Sequence, residues 1–340
     1  MSSVRWGVLS TAGIARVVIE ATRSAERPRF VAVASRDTAR AREFAAELGL
    51  PASFGSYPEL LASDEIDAVY VALPVSMHTE WTVKALQAGK HVLCEKPFAT
   101  TAADAARCFD AAEAAGRACI VGFMYRHHPQ TTLARKLVAE GAIGALAYIR
   151  AALTVSVPAD DIRRSVELGG GALGDLGGYC VSAIRLFAGE PQRVYAERVL
   201  DGPEGVDLRF TAGLRMPEGV LAQFDAGLDL PRRDELELVG TEGKLTVPDP
   251  WICRTGSVQL HRDGSLYELE ADPSGAFGLT GSESDAYRLE FEAASAAILD
   301  GQEPPFGRAD AVAQEAAIEA LRRSSIDAAP VDLAPGPVPA

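Results

Sequence analysis

Short apolar runs alternate with helix-patterned segments through the first third of the chain. That alternation narrows the fold more than any other feature. Val4 to Ser10, Phe30 to Ser35, Ala68 to Ala72, His91 to Cys94 and Ala118 to Gly122 read as strands. Between them, Ile14 to Ser24, Thr38 to Leu48, Thr79 to Ala88 and Thr101 to Ala115 read as helices. Continuous apolar runs joined through helices predict βαβ units and a parallel sheet covered on both faces. From about Tyr148 the rhythm changes. Runs at Tyr148–Val155, Arg193–Val199, Val206–Met216, Val220–Ala226, Leu236–Val239 and Lys244–Val247 are mostly joined by short turns, which indicates an antiparallel sheet. A helix over Ala172 to Phe187 interrupts that run, and helices over Asp285–Leu299 and Ala309–Ser324 close the fold.

The expected fold class is therefore α/β. A doubly wound parallel sheet over residues 1–123 precedes a second α/β domain with a large, mostly antiparallel sheet over 124–327. Residues 328–340 form a proline-rich tail expected to be unpacked.

Composition serves mainly to exclude. A net charge of −14 argues against nucleic acid as a partner, because phosphate backbones need clustered Lys and Arg. It leaves room for one phosphate held by an arginine or two. The five cysteines are scattered without C-x-x-C spacing, so neither a disulfide framework nor a zinc site is indicated. No metal is expected. The N-terminus lacks a signal-peptide core and no apolar run reaches membrane-spanning length, which makes a cytoplasmic protein the expectation.

The turn Ser10-Thr11-Ala12-Gly13-Ile14 lies between the first strand and the first helix, where a dinucleotide fingerprint belongs. The strict G-x-G-x-x-G is degraded, yet its small residues allow a backbone to approach a pyrophosphate, and the helix N-terminus offers N–H donors. The second strand ends in Ser35-Arg36-Asp37. Asp37 is placed to cap the next helix, which leaves Arg36, helped by Ser35, to meet a ribose 2′-phosphate. NADP is thus expected over NAD. Leu73-Pro74 ends the next main strand at the ligand crevice. His78 either reaches a ribose hydroxyl or caps the helix that follows. The run His91 to Cys94 ends in Glu95-Lys96-Pro97, and a lysine at a strand's carboxyl end faces that crevice, able to donate or steer a proton.

With these parts in place, the chain resembles the Gfo/Idh/MocA oxidoreductases, typified by glucose–fructose oxidoreductase and inositol dehydrogenase. The resemblance rests on the N-terminal turn, Leu73-Pro74 with His78, Glu95-Lys96-Pro97, Met124-Tyr125-Arg126-His127-His128-Pro129, and the run from Leu168 through Asp175 to Tyr179. Within the family it looks closest to the branch of dimeric dihydrodiol dehydrogenases, NADP-dependent xylose dehydrogenases and deoxysugar ketoreductases. The chain departs from many members in carrying Tyr179 where they carry His, and Leu73-Pro74-Val75 where they carry Thr-Pro-Asn.

The resemblance implies a hydride transfer between nicotinamide and a carbinol or carbonyl carbon of a sugar or cyclic polyol, with an aldopyranose such as xylose or glucose foremost. Tyr179 is expected to be the acid/base. Lys96 would lower the phenol's pKa and orient the substrate oxygen, and Asp175, four residues before Tyr179, would bind a substrate hydroxyl. Tyr125 and Arg126 are expected to line the crevice. Arg163 is open between a substrate contact, a cofactor-phosphate contact and a solvated arginine. The implied assembly is a homodimer or homotetramer through the C-terminal sheet. Two alternatives stand beside this reading: a ketoreductase of a nucleotide-linked deoxysugar, and a non-catalytic NADP-binding sensor.

Overall fold

The structure is a computed structural model that describes residues 2–333. The chain divides into two compact units, one formed by residues up to His127 with Glu283–Val312, the other by His128–Ser282 with residues from Ala313 on.

The first unit begins β1 (Val4–Leu9), α1 (Gly13–Ala21), β2 (Pro28–Ala34), α2 (Thr38–Leu48), β3 (Ala52–Phe54) and α3 (Tyr57–Leu61). It continues β4 (Ala68–Val71), α4 (His78–Gln87), β5 (His91–Glu95), α5 (Ala102–Ala115) and β6 (Cys119–Gly122). The second unit supplies α6 (Pro129–Ala139), β7 (Leu146–Ser156), α7 (Gly178–Ala188), β8 (Arg193–Leu200), β9 (Asp207–Arg215), β10 (Leu221–Gly227) and β11 (Asp229–Gly240). There follow β12 (Gly243–Thr246), β13 (Ser257–Arg262), β14 (Ser265–Glu270), α8 (Ser284–Asp300), α9 (Arg308–Asp327) and β15 (Val331–Asp332).

The first sheet has six parallel strands in the order β3-β2-β1-β4-β5-β6. The strand order reverses beside β1, so ligand is expected at the carboxyl ends of β1 and β4. Strands β4 and β6 are buried at every position, which explains why they read as unbroken apolar runs.

The two units are not contiguous in sequence, in contrast to the expected single second domain over 124–327. Residues 283–312, which contain α8, belong to the first unit. The reason is an aromatic cluster. Phe291 of α8 is fully buried, with its ring 5.0 Å from Trp6, 5.2 Å from Phe30 and 5.2 Å from Tyr70. Trp6 Nε1 donates to Ser295 Oγ at 3.0 Å, so the one polar atom of the indole is satisfied inside the core. Burying a phenylalanine ring contributes about 1.5–3 kcal/mol towards holding the returning helix on the sheet.

The second sheet has nine strands in the order β14-β13-β12-β11-β7-β10-β9-β8-β15. It is antiparallel except where β10 runs parallel to β7. Phe210, Ala212, Leu214, Ala222 and Phe224 are buried. The intervening positions of β9 and β10, among them Arg209, Thr211 and Gln223, are exposed or half-buried. The outward positions thus mix polar residues with exposed Tyr195 and Leu221. The start of the expected loose tail is also ordered: Val331 is buried and pairs with Val194, adding β15 to the sheet edge. The remainder of that tail, residues 334–340, lies outside the described residues.

One buried acid in the first unit has a measurable consequence. Glu290 of α8 is 1% exposed, and neither carboxyl oxygen has a hydrogen-bond partner. Burial first, then the nearby Glu95, pushes its pKa well above the ordinary carboxylate range. A carboxyl raised in the fold contributes stability that is fully present below its unfolded value, about 4.3, and lost as pH rises through the folded one. Glu290→Gln keeps the shape and cannot ionise. Its stability relative to the parent should therefore grow as pH rises above about 4.3, by up to about 1.4 kcal/mol per unit while the parent's carboxyl stays protonated. Urea midpoints measured across that range check this, and parallel curves for the two proteins would contradict it.

Candidate active site

Parallel pairing delivers four strand ends to one edge of the first unit. At the end of β1, Ser10 sits at φ 131°, a conformation rare outside glycine. Its backbone N–H reaches Ala34 O at 3.1 Å, and its Oγ accepts from Ala12 N at 3.0 Å, folding Thr11-Ala12-Gly13-Ile14 into a tight turn. Helix α1 then starts with Ala12 at its N-cap and no side-chain cap. Its first N–H groups are open to an anion. A Cβ added at Gly13 would meet nothing within 4 Å, so there is space in front of the turn. A dinucleotide pyrophosphate fits both observations.

At the end of β2, Asp37 Oδ1 accepts from Ala39 N at 2.9 Å and Arg40 N at 3.2 Å. The expected cap is present. Ser35 is buried, with its Oγ accepting from Asp37 N at 3.2 Å, and Arg36 is exposed. At the end of β4, Leu73 and Pro74 are half-buried, and Pro74 leads into a 3₁₀ turn over Val75–Met77.

His78 differs from one of its two expected roles. It is 1% exposed, with Nδ1 2.8 Å from Pro97 O and Nε2 2.6 Å from Leu73 O. Both ring nitrogens face carbonyl oxygens, to one of which a neutral ring donates, so the imidazole sits buried between the two strand ends and does not point to a ribose. Burial lowers its pKa.

Strand β5 ends at Glu95, which also departs from expectation. Its Oε1 accepts from Tyr70 OH at 2.6 Å and its Oε2 from Lys96 N at 3.1 Å. Glu95 therefore fixes the backbone on which Lys96 stands; a direct cofactor contact is not what these bonds describe. Burial, then Glu95, raises the Tyr70 phenol well above its usual pKa, so it stays a donor. Arg126 likewise has a packing role. Its guanidinium lies 4.8 Å from the Phe123 ring and 4.6 Å from the Phe306 ring, and Nη1 donates to Asp310 at 2.5 Å. Tyr125 beside it is 1% exposed.

In the second unit, the glycine run opens the helix that carries Asp175 and Tyr179. Gly171 has φ 128°, and a Cβ there would lie 2.3 Å from Asp207 Oδ1. Its absence lets Asp207 Oδ2 accept from Leu173 N at 2.5 Å. A Cβ at Gly170 would lie 2.3 Å from Arg163 O, so the run also brings the Arg163 backbone close.

The expected regular helix from Ala172 is instead a π-helical turn over Leu173–Gly177 followed by α7. Such widened turns recur at functional sites. Asp175 is on that turn and Tyr179 is one residue into α7. Tyr179 is 7% exposed, and its ring centroid is 5.9 Å from that of Trp251, whose Nε1 donates to Ala152 O at 3.0 Å. Arg163 Nη1 lies 3.9 Å from Asp175 Oδ2. The same guanidinium makes two bonds of 2.8 Å to Asp161, and Arg164 Nε donates to Asp201 Oδ2 at 2.8 Å.

Asp161, Arg163, Asp175, Tyr179 and Trp251 thus belong to the second unit, and the strand-end residues to the first. Trp251 and Asp207 carry no sequence signal, because each meets its partner through long-range packing.

A six-stranded Rossmann sheet with an uncapped first helix, and a second unit offering a carboxylate and a phenol on one helix entrance, define a dinucleotide-dependent oxidoreductase. The chain belongs to the Gfo/Idh/MocA family: residues 4–123 match its oxidoreductase domain with the NAD-binding Rossmann fold, and residues 131–246 match its C-terminal domain. It is 38% identical over 334 residues to D-xylose 1-dehydrogenase (NADP(+)) 2 of Haloferax volcanii, covering 96% of this chain and 99% of that one. A 3-ketoreductase from Actinomadura kijaniata, solved with NADP and TDP-benzene, is 31% identical with a TM-score of 0.86, over 95% of this chain and 98% of that one. An aldose–aldose oxidoreductase from Caulobacter crescentus, complexed with glycerol, is 26% identical with a TM-score of 0.87, over 97% of this chain and all of that one.

Proposed function

We propose that this chain is an NADP-dependent sugar oxidoreductase. It would move a hydride between the nicotinamide and a carbinol or carbonyl carbon of a free aldopyranose, such as xylose or glucose, or of a cyclic polyol. The observation that carries the choice of a free sugar is the charge balance at the glycine run. Arg163 is neutralised by Asp161 and Arg164 by Asp201, so neither is left to bind a diphosphate. Asp175 and Tyr179 remain as groups suited to uncharged hydroxyls. The nucleotide-linked ketoreductase is the second reading, favoured by likeness to the Actinomadura kijaniata enzyme. A sensor has no need of Lys96, Asp175 and Tyr179 together.

When bound, the nicotinamide supplies the hydride acceptor for oxidation or the donor for reduction. Tyr179 takes the carbinol proton at its phenolic oxygen and returns it in the reverse direction. Lys96 orients the substrate oxygen and, as a cation, favours the phenolate of Tyr179. Asp175 accepts a hydrogen bond from a neighbouring hydroxyl, and Arg163 fixes its direction. Ser35 and Arg36 favour NADP over NAD through the 2′-phosphate. The exposed Tyr148, Tyr195, Val199 and Leu221 on the second sheet support a homodimer or homotetramer through that face. Light scattering from a monomer at micromolar concentration would remove the assembly.

Tyr179→Phe removes the transferable proton and keeps the ring, so folding and NADP binding should survive while turnover falls by ~10²–10⁴. Lys96→Met should be comparably damaging, and the double variant little worse than either, because residues acting as a unit are non-additive. Steady-state rates on a sugar panel, read at the nicotinamide absorbance band, check all three. Additive losses would separate the two residues, and near-normal turnover in Tyr179→Phe would remove the phenol from the reaction.

A further inference from the structure

Asp161 opens the 3₁₀ turn over Ile162–Arg164, and its Oδ1 accepts from Arg163 N at 2.9 Å. The same carboxylate holds the Arg163 side chain: Oδ1 accepts from Nε and Oδ2 from Nη2, each at 2.8 Å. Two parallel bonds of this kind fix the plane of a guanidinium as well as its place. The Arg163 carbonyl is held in turn. It accepts from Gly171 N at 2.9 Å, and Gly171 O accepts from Asp175 N at 3.1 Å. Main chain and side chain thus both lead from Asp161 to the π-helical turn. The remaining nitrogen of the guanidinium, Nη1, lies 3.9 Å from Asp175 Oδ2, within ion-pair reach and beyond a hydrogen bond. The Arg163 and Asp175 side chains are 36% and 18% exposed, so both are reachable from solvent.

We propose that Asp161 is a positioning residue for substrate recognition: it aims Arg163 Nη1 so that one sugar hydroxyl bridges the gap, accepting from Nη1 and donating to Asp175 Oδ2. This rests on the reading of Asp175 as the contact to a substrate hydroxyl. A hydroxyl carries one donor and two acceptor lone pairs, so it satisfies an N–H on one side and a carboxylate on the other. Neither a hydrogen nor an ether oxygen at the same carbon does both. Each of the two bonds is to a charged group, which makes it the stronger kind. An arginine left to sample its rotamers would lose that freedom on binding. One already gripped through Nε and Nη2 loses little, and the sugar gains the difference. Asp161 touches no substrate in this arrangement; it acts through Arg163.

The test uses the full chain with NADP⁺ and compares D-xylose with its 2-deoxy, 3-deoxy and 4-deoxy analogues through kcat/KM. In the parent, the analogue lacking the bridged hydroxyl should fall about tenfold or more below xylose. Asp161→Asn keeps an oxygen to cap Arg163 N and loses the charge and the second acceptor. Its KM for xylose should rise about tenfold with kcat held within about twofold, and the penalty on that analogue should shrink to about twofold. Its NADP affinity, read by calorimetry, should be unchanged. Arg163→Lys keeps the cation without the fork and should shrink the penalty in the same way, which keeps the test decisive should Asp161→Asn fold poorly. An equal loss on xylose and all three analogues would mean a merely structural role, and an unchanged penalty would mean that Asp161 does not act through Arg163; either result overturns the proposal. If the parent penalises no analogue, no hydroxyl bridges the pair and the proposal falls while the sugar reading stands. If the parent turns over no free sugar, that reading fails and the proposal with it.

Discussion

Parallel pairing is the constraint on which the first unit depends. Because β1, β2, β4 and β5 all point the same way, each delivers its last residue to the same edge. Ser10, Ser35-Arg36, Leu73-Pro74 and Glu95-Lys96 are far apart in sequence and become neighbours for that reason alone. The edge is then locked by polar side chains that the ladder cannot satisfy itself. His78 is buried between the ends of β4 and β5, with its ring nitrogens facing the Leu73 and Pro97 carbonyls. Glu95 takes a hydrogen bond from Tyr70 and another from the Lys96 backbone. Lys96 thus stands on a backbone that the Glu95 carboxylate holds.

The second unit solves a different problem, that of placing a carboxylate and a phenol at a helix entrance without burying unpaired charge. Three consecutive glycines allow the chain to turn closely against the Arg163 backbone and the Asp207 carboxylate. Asp207 then satisfies the Leu173 N–H, although burial raises its own pKa. The widened turn over Leu173–Gly177 follows immediately. Arg163 bridges towards Asp175 while held by Asp161, and Arg164 is held by Asp201. The positive charge of both arginines is thus balanced within the second unit.

Much of this was legible in the sequence, and the failures have physical causes. Parallel strands buried on both faces show as apolar runs, so five of the six strands of the first sheet were readable; β3, three residues with none fully buried, was not. The Asp37 cap follows from local rules and is present. Local rules cannot say which unit a helix packs on. Phe291 draws α8 back to Trp6 and Phe30, and that contact spans most of the chain. The same limit explains Arg126, which looks like a site residue until Phe123, Phe306 and Asp310 surround it. The π turn escaped because Asp175 and Tyr179 keep a helical spacing whichever way the turn is wound, and only the Asp207 cap, supplied from β9, accompanies the change.

The central claim is that the chain transfers hydride directly between a free sugar and nicotinamide. D-xylose deuterated at C1, incubated with NADP⁺ and the full chain, tests it most directly by mass spectrometry and NMR of the reduced cofactor. The account predicts stoichiometric deuterium at C4 of the nicotinamide of NADPH, with none lost to water. Label absent from NADPH formed during turnover, or no NADPH from any free aldose while a nucleotide-linked sugar is turned over, would contradict it.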